Sequence, residues 1–268
     1  MAVNIIKRIR TEGLLSEIRR LKFKSYFAVI KLGKKQITKS GYLRSFYGPL
    51  MFENWQDITF RFCIRGSYGV FFSNFLKKNQ NKFIFFDIGA NQGLYSLIAS
   101  NNPQCIKTYS FEPVHKTNEI LRKNISRNGV SKKVEIIKAG IDSIQSNKRK
   151  ISIDYSHSGS ASINANFNST AYEYIKTINR KYLNKLDLPK DIDEIVIKID
   201  AEGNEFKILN ELKQLYYFNK ISVICFEYDQ NNADSEKLLA FMRKNNFKSL
   251  HLKDSPSHTQ YNIFSERI

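Results

Sequence analysis

Residues 83–93 have the sequence FIFFDIGANQG, and this stretch decides the fold class. Its first six residues are almost continuously apolar, which predicts a strand that is buried on both faces. The glycines that follow predict a tight turn where a ligand can approach the backbone closely, and a helix then begins with its first N–H groups facing that ligand. A buried strand, a glycine turn and a helix indicate the start of a ligand-binding α/β domain.

The same alternation continues outward from this stretch. Apolar strands are expected at 83–88, 106–111, 133–138, 194–199 and 221–226, and helices at 93–100, 115–128, 204–215 and 234–245. Two closely spaced strands, at 247–252 and 261–265, are expected to form a terminal antiparallel pair. Fully apolar strands that alternate with helices predict a doubly wound α/β fold with a mostly parallel sheet.

An acidic residue ends the second strand. The segment Phe111-Glu112-Pro113 lies 19 residues after Gly93, and a carboxylate in this position accepts hydrogen bonds from both ribose hydroxyls of a nucleoside. The turn lacks the third close-set glycine of a dinucleotide fingerprint, and the chain contains no GxxxxGK[ST] phosphate loop. A cofactor with one nucleoside and no pyrophosphate is therefore expected, which points to S-adenosylmethionine.

Polar residues also follow the later strands. Asp142, after the third strand, is placed to reach an adenine amino group or simply to cap the strand end. The fourth strand ends in KIDAEGNE at 198–205, which crowds Lys198, Asp200 and two glutamates around one turn. This crowding predicts an acid–base site or a cation site; the alternative is a helix N-terminus beside a Lys198–Asp200 ion pair. Glu227, at the end of the fifth strand, is expected to face the same crevice.

The alternation fails between residues 144 and 193. A stretch rich in serine and asparagine, with Ser158-Gly159-Ser160 in it, predicts a hairpin or long loop inserted over the substrate side of the sheet. The alternative is a surface loop without a role in binding. His157 lies in this insertion and is the second choice, after Asp200, for a catalytic base.

Residues 1–78 are predicted to form an N-terminal extension to an S-adenosylmethionine-binding domain at 79–268. Apolar residues at helical spacing between arginines and lysines predict an amphipathic basic helix near the N-terminus. Residues 41–69 are expected to form an aromatic-rich cap of hairpins, with a strand at Ile58–Ile64, and residues 70–78 to form a helix. The basic helix has two interpretations, a membrane-surface anchor or a helix packed on its own domain.

Composition narrows the class of protein. The chain has 268 residues and a net charge of +18, and 42% of its residues are hydrophobic, so it has the material for a sizeable core. Residues 1–48 alone carry a net charge of +10, which would attract a polyanion. The charge does not distinguish among nucleic acid, anionic lipid and acidic glycan. No stretch resembles a transmembrane span or a cleaved signal, and three scattered cysteines indicate neither disulfides nor zinc. A cytoplasmic protein is expected, with peripheral contact at the inner membrane as a further hypothesis.

These motifs resemble those of the FkbM family of class I methyltransferases. The resemblance covers about residues 80–230 and is carried by DIGANQG at 87–93, Phe111-Glu112-Pro113, Asn124 with Asn128-Gly129, and most specifically KIDAEGNEFKIL at 198–209. It implies a seven-stranded Rossmann-like fold, S-adenosylmethionine as cofactor, and O-methylation, often of sugar or polyketide hydroxyls. The chain departs from the family pattern at Thr177-Ile178-Asn179, where the family usually has leucine-aspartate.

The resemblance also implies roles for individual residues. Those expected around the cofactor are Asp87, Gly89, Ala90, Asn91 and Gly93 at its methionine end, Glu112 and Pro113 at ribose, Asp142 at adenine, and Asp200 beside the transferred group. Asp200 is the leading choice for the catalytic base or for a ligand of a divalent cation, with Glu202 or Glu227 in support.

The resulting hypothesis is an S-adenosylmethionine-dependent O-methyltransferase that acts on a sugar hydroxyl of a bacterial glycan or related metabolite. One alternative is an RNA or other nucleic-acid methyltransferase, which the positive charge favours. Against it, the chain lacks the [DNS]PP[YF] tetrapeptide of enzymes that methylate amino groups of bases. It also lacks the Pro-Cys pair of pyrimidine methyltransferases that use a cysteine nucleophile. The other alternative is a catalytically inert protein that binds membrane or RNA.

Overall fold

The computed structural model describes residues 40–67, 69–163, 171–252 and 260–268, together with Ile18 and Leu21. Apart from those last two residues, the predicted basic helix lies outside the described residues, as do residues 164–170 of the predicted insertion. Among the residues that are described, no helix combines the length and the apolar character needed to cross a membrane.

The central domain alternates strands and helices along the chain. Its elements are β3 (Phe83–Ile88), α3 (Leu94–Ser100), β4 (Cys105–Phe111), α4 (His115–Arg127), β5 (Val134–Ile137), β9 (Glu194–Ile199), α6 (Glu205–Lys213), β10 (Ile221–Asp229), α7 (Ser235–Lys244), β11 (Phe247–His251) and β12 (Gln260–Arg267). Each predicted strand and helix of this domain is confirmed, with ends that differ by a few residues.

Seven of these strands form one sheet in the order β11-β12-β10-β9-β3-β4-β5. The strand β12 runs antiparallel to both of its neighbours, and the other pairs are parallel. The predicted doubly wound, mostly parallel sheet and its terminal antiparallel pair are thus confirmed. The chain order reverses between β3 and β9, and in open α/β sheets ligands bind outside the carboxyl ends of the strands at such a reversal.

Helices cover both faces of the sheet, and the two central strands β3 and β9 are therefore buried along their whole length. Ile84 and Phe86 pack on one face with residues of α6 and α7, whereas Phe83 and Phe85 pack on the other with residues of α2 (Val70–Lys78), α3 and α4. This arrangement explains why β3 and β9 read as continuous apolar runs.

A cap of four short elements precedes the sheet: β1 (Tyr42–Arg44), β2 (Leu50–Phe52), α1 (Ile58–Arg65) and α2. The strand predicted at Ile58–Ile64 is wrong, because these residues form helix α1. The Asp57 side chain caps its first turn by accepting from Thr59 N, and Gly66 ends it with a left-handed φ of 65°. The apolar residues at alternate positions imitate a strand, yet the buried set Phe60, Cys63 and Ile64 fits one helical face.

The cap is held to the sheet domain by two asparagines at the end of α4, Asn124 within the helix and Asn128 at its C-cap. Asn128 Oδ1 accepts from Leu50 N at 2.9 Å while its Nδ2 donates to Leu50 O at 2.8 Å, and Asn124 Oδ1 accepts from Phe52 N at 2.7 Å. These side chains satisfy backbone groups of β2 that no strand pairs on that side. The cap also shares its hydrophobic core with β3, for example through Phe60 and Phe72.

The insertion between β5 and β9 contains β6 (Gly140–Ile141), β7 (Ser146–Ile153), β8 (Ala171–Ile178) and the one-turn helix α5 (Arg180–Leu183). β7 and β8 pair antiparallel, and β6 lies parallel to β8, so the predicted hairpin is confirmed. Asn179, in the segment that departs from the family pattern, caps α5 by accepting from Lys181 N at 3.1 Å.

Candidate active site

The site begins where β3 and β9 end side by side. Gly89 follows β3 with a left-handed φ of 76°, and Asp200 follows β9, with its N–H donating to Ile88 O at 3.0 Å. A side chain at Gly89 would place its Cβ 1.8 Å from the backbone oxygen of Asp200. The glycine is therefore required both for the turn and for the close approach of the two strand ends.

The turn after β3 is held in shape by hydrogen bonds to its backbone. The N–H groups of Gly89 and Ala90 donate to Phe111 O, each at 3.0 Å, and Asn91 N donates to Glu112 Oε2 at 2.9 Å. Asn91 itself has a left-handed φ of 50°, which asparagine tolerates better than most residues. The turn thus presents a fixed backbone edge to the cavity described below.

Glu112 lies at the end of β4 and is buried. Besides Asn91 N, it accepts from Val114 N at 2.9 Å through Oε1. Burial raises the pKa of Glu112 to about 7, and the two backbone N–H donors only partly offset that effect. Its carboxylate is therefore close to half protonated at neutral pH, and a ligand that donates hydrogen bonds to it favours the ionised form.

Three of the predicted cofactor residues do not line the cavity. Gly93 faces α4 instead, where an added Cβ would lie 2.4 Å from Leu121 Cδ1. Asp87 is buried on β3, where Oδ2 accepts from Ser96 N at 2.9 Å and thereby holds the first turn of α3. Asp142 is also buried; its Oδ1 accepts from Ser143 Oγ at 3.1 Å, and its Oδ2 lies 3.8 Å from an Arg149 nitrogen. Gly140 and Ile141 line the cavity in its place.

Three carboxylates converge beyond the turn. Asp200, Glu202 and Glu227 each bring an oxygen within 4.8 Å of the others. Burial, followed by repulsion from Asp200 and Glu227, raises the pKa of Glu202 well above its usual range. Burial and then repulsion from Asp200 raise the pKa of Glu227 to about 8. The cluster therefore favours a bound proton, a cation or a hydrogen-bond donor among its carboxylates.

Lys198 lies beneath this cluster with its side chain only 4% exposed. Its Nζ is 2.6 Å from Asp200 Oδ2 and 5.0 Å from the centre of the Tyr95 ring. Burial alone would lower the pKa of Lys198, but the Asp200 and Asp87 carboxylates outweigh burial and raise it. The ion pair considered in the sequence is thus present, and it sits within the site because both residues line the same cavity.

The acidic loop between β9 and α6 is fixed from two sides. Glu205 Oε1 accepts from Ala201 N at 3.0 Å and from Gly203 N at 3.2 Å, and Ser162 of the insertion donates to Glu202 O at 2.8 Å. Glu202 has a left-handed φ of 49°, which costs a side chain of this size about 1 kcal/mol. These bonds hold Glu202 in that conformation and aim its carboxylate at Asp200.

One cavity of about 540 Å³ is lined by the turn after β3, Glu112, Lys198 and the three clustered carboxylates Asp200, Glu202 and Glu227. Such a volume accommodates a nucleoside cofactor and part of an acceptor. The sheet contributes the strand ends and Tyr261 of β12, whereas Phe62 and Cys63 come from the cap and His157 to Ala161 from the insertion. Burial raises the pKa of the Cys63 thiol to about 12, so this cysteine is a poor nucleophile.

The family model for the methyltransferase FkbM domain matches residues 87–249, which is more than half of the chain. The chain belongs to the FkbM methyltransferase family. S-adenosylmethionine is accordingly its methyl donor. No curated protein is detectably similar to this FkbM methyltransferase in sequence.

Several solved structures are similar to the chain at low sequence identity. They include a precorrin-6y C5,15-methyltransferase from Geobacter metallireducens GS-15, with 14% identity, TM-score 0.43, and coverage of 73% of this chain and 87% of that one. The M. capricolum TrmK in complex with S-adenosylhomocysteine has 15% identity, TM-score 0.42, and coverage of 74% and 67%. A putative rRNA methylase from Clostridium thermocellum has 11% identity, TM-score 0.44, and coverage of 73% and 93%.

Sequence reasoning missed the part of the site that comes from the cap. Phe62 and Cys63 reach the cavity because residues 58–65 form a helix. The strand predicted for these residues gave no reason to place either of them in the site. Asp57 precedes α1 and hydrogen-bonds Gln92 Nε2 at 2.7 Å. The local sequence feature that could have indicated this helix is Asp57, a residue type favoured at helix N-caps.

Proposed function

We propose that this FkbM methyltransferase transfers a methyl group from S-adenosylmethionine to a hydroxyl oxygen of a sugar, in a bacterial glycan or a related metabolite. The observation that carries the proposal is the shared cavity, in which the glycine turn and Glu112 face a cluster of three carboxylates. A hydroxyl acceptor must lose a proton on methylation, and carboxylates with raised pKa values are suited to receive it near neutral pH.

The residues of the turn fit the cofactor. Glu112 presents a buried carboxylate for two ribose hydroxyls, and Pro113, Gly140 and Ile141 offer an apolar wall for the adenine ring. Gly89, Ala90 and Asn91 would face its methionine part, and Gly93, with a φ of 87°, would shape the turn behind them. When bound, S-adenosylmethionine supplies an electrophilic methyl group on a sulfonium. Asp87 acts behind this surface by fixing α3, and Asp142 remains a proposal for adenine that its present hydrogen bonds do not support.

The carboxylates are proposed to orient the acceptor and to take its proton. Asp200 is held by Lys198 through Oδ2, which leaves its other oxygen for the acceptor hydroxyl. With Asp200 as the proposed base, Glu202 and Glu227, whose pKa is raised to about 8, would support it by sharing the proton. His157 lines the far side of the cavity and is kept as the second choice of base. A base in contact with the hydroxyl contributes about 10²- to 10⁴-fold to the rate.

A divalent cation is the alternative way to use the same cluster. Three carboxylate oxygens within 4.8 Å of one another suit Mg²⁺ or Ca²⁺, which prefer oxygen ligands. A cation there would bind Asp200, Glu202 and Glu227 and acidify the acceptor hydroxyl. Treatment with a chelator separates the two versions, since transfer survives it when the carboxylates act alone.

A nucleic-acid acceptor is the second candidate, and one surface favours it. The outer face of the β7–β8 hairpin exposes Tyr172 and Tyr174 beside Lys148, Lys150 and Lys176, and Lys150 Nζ lies 3.9 Å from the centre of the Tyr172 ring. Aromatic and basic side chains together bind single-stranded nucleic acid. The acidic cluster at the transfer end opposes this candidate because it repels phosphates, so a glycan acceptor is preferred.

The decisive experiment measures transfer and cofactor binding separately. Purified protein with methyl-tritiated S-adenosylmethionine is incubated with a glycan fraction or with total RNA, and S-adenosylhomocysteine binding is followed by calorimetry. We expect label in glycan, a loss of at least about 10²-fold for Asp200→Asn, and S-adenosylhomocysteine affinity within about threefold of the wild type.

The exposed Asp191, which pairs with Lys82 at 2.6 Å, supplies the matched control Asp191→Asn. Label in RNA would establish the second candidate, whereas binding without any transfer would favour an inert protein. Wild-type turnover of Asp200→Asn would remove this carboxylate from the mechanism.

A further inference from the structure

One buried carboxylate of the cap touches three separate segments of the chain. Asp57 is 1% exposed. Its Oδ2 accepts from Gln92 Nε2 at 2.7 Å, in the turn after β3, and its Oδ1 accepts from Ser158 N at 3.2 Å, in the insertion. The same Oδ1 caps α1 by accepting from Thr59 N at 2.9 Å. The carboxylate thus joins the cap, the glycine turn and the insertion at one point.

The tip of the insertion, residues 156–163, lies on the start of α1. Further hydrogen bonds hold it there: Ile58 N to Ser156 O at 2.8 Å, Gly159 N to Thr59 Oγ1 at 3.0 Å, and Ser158 Oγ to Asn91 Oδ1 at 3.0 Å. Ser158 therefore contacts the glycine turn directly through Asn91 and indirectly through Asp57. Residues of this tip form one wall of the cavity, on the side away from the sheet.

Gln92 is the link between the turn and Asp57. It is 1% exposed, its carbonyl oxygen accepts from Asn124 Nδ2 at 2.8 Å, and its N–H donates to Asn91 Oδ1 at 2.8 Å. With its backbone fixed at both ends, the position of its side chain follows that of the turn. A ligand that fixes the position of the turn therefore also fixes Gln92 Nε2, the group that donates to Asp57.

We propose that Asp57 is a positioning residue of the transfer site, which passes the position of the cofactor-bound turn to the tip of the insertion. Cofactor binding then orders the wall over the acceptor, so that the acceptor side is completed only when the methyl donor is in place. This inference rests on the proposed function, since it takes S-adenosylmethionine to bind at the glycine turn.

The chemistry of the junction explains why a carboxylate is needed. The groups that meet Asp57 are N–H donors, including Asn54 Nδ2 at 3.4 Å, and a carboxylate can only accept. In Asp57→Asn, one oxygen still caps α1 and accepts from Ser158, but the new NH₂ group cannot accept from Gln92 Nε2, and the negative charge of the contact is lost. Adding Gln92→Glu restores a donor–acceptor pair with the roles reversed, so this double variant tests the contact itself.

The test is hydrogen exchange of the backbone amides of residues 156–163 with and without saturating S-adenosylhomocysteine. In the wild type we expect this compound to slow exchange there about tenfold. In Asp57→Asn we expect less than about twofold, with S-adenosylhomocysteine binding weakened about tenfold because coupling is reciprocal. Asp57→Asn with Gln92→Glu should recover most of both effects, and Asp191→Asn should match the wild type.

Each other outcome has a defined meaning. Equal slowing of exchange in the wild type and in Asp57→Asn overturns the proposal. So does exchange in Asp57→Asn that is faster by the same factor with and without S-adenosylhomocysteine, because a purely structural role predicts this and leaves the tenfold slowing by that compound in place. Failure of the double variant to recover, while it remains folded by thermal unfolding, also counts against the Asp57–Gln92 contact. If the wild type does not bind S-adenosylhomocysteine at all, the proposed function fails instead.

Discussion

Gly89→Ala is the substitution that tests most directly how β3 and β9 build the site. The added methyl group would lie 1.8 Å from the backbone oxygen of Asp200, about 1.5 Å closer than an ordinary carbon–oxygen contact. No side chain can rotate away, because the atom it meets belongs to the backbone. The alanine must also adopt φ 76°, which costs about 1 kcal/mol.

Overpacking of this kind costs about 1–3 kcal/mol beyond the backbone strain. We therefore expect Gly89→Ala to lower the free energy of unfolding by about 2–4 kcal/mol and the melting temperature by about 5–15 °C. It should also weaken S-adenosylhomocysteine binding at least tenfold, because the turn and Asp200 are pushed apart. Thermal unfolding and calorimetry measure the two effects.

Gly129→Ala is the matched control. Gly129 has nearly the same φ, 72°, but a Cβ there would meet nothing within 4 Å. This variant should lose only about 1 kcal/mol and bind S-adenosylhomocysteine normally. Equal losses of stability in the two variants, or intact binding in Gly89→Ala, would refute the close approach of the strand ends as the reason for this glycine.

Two further predictions concern pH and charge. Because the pKa of Glu112 is raised to about 7 and only its ionised form accepts from both ribose hydroxyls, S-adenosylhomocysteine affinity should fall up to about tenfold between pH 7 and pH 6 and level off above pH 8. Calorimetry should show that affinity depends less on pH in Glu112→Gln and as in the wild type in the exposed control Glu119→Gln. A dependence on pH as steep in Glu112→Gln as in the wild type would contradict the assignment. Deletion of residues 1–30 should abolish cosedimentation with anionic liposomes, which should also weaken with added salt; undiminished binding would exclude a basic membrane anchor.

Local pattern was sufficient for the sheet and its first ligand-facing turns. The strands β3 and β9 are buried on both faces, so their apolar runs identify them without knowledge of their neighbours. The carboxyl ends of parallel strands meet at one edge, which is why Glu112, Asp200 and Glu227 could be assigned to one crevice before their distances were known. At Ile58–Ile64 the apolar residues fit both the alternation of a strand and the spacing of a helix, and the strand predicted there is wrong.

By itself, the sequence determined the doubly wound fold, the FkbM motifs and the carboxylates at the strand ends, because each is encoded within a few consecutive residues. Only the tertiary structure decided that Asp142 lies off the cavity, that Lys198 neutralises one member of the acidic cluster, and that Asp57 contacts both the glycine turn and the insertion. Asp57 meets partners 35 and 101 positions away, in Gln92 and Ser158. Contacts over such separations depend on how the cap and the insertion pack against the sheet, which short-range periodicity does not record.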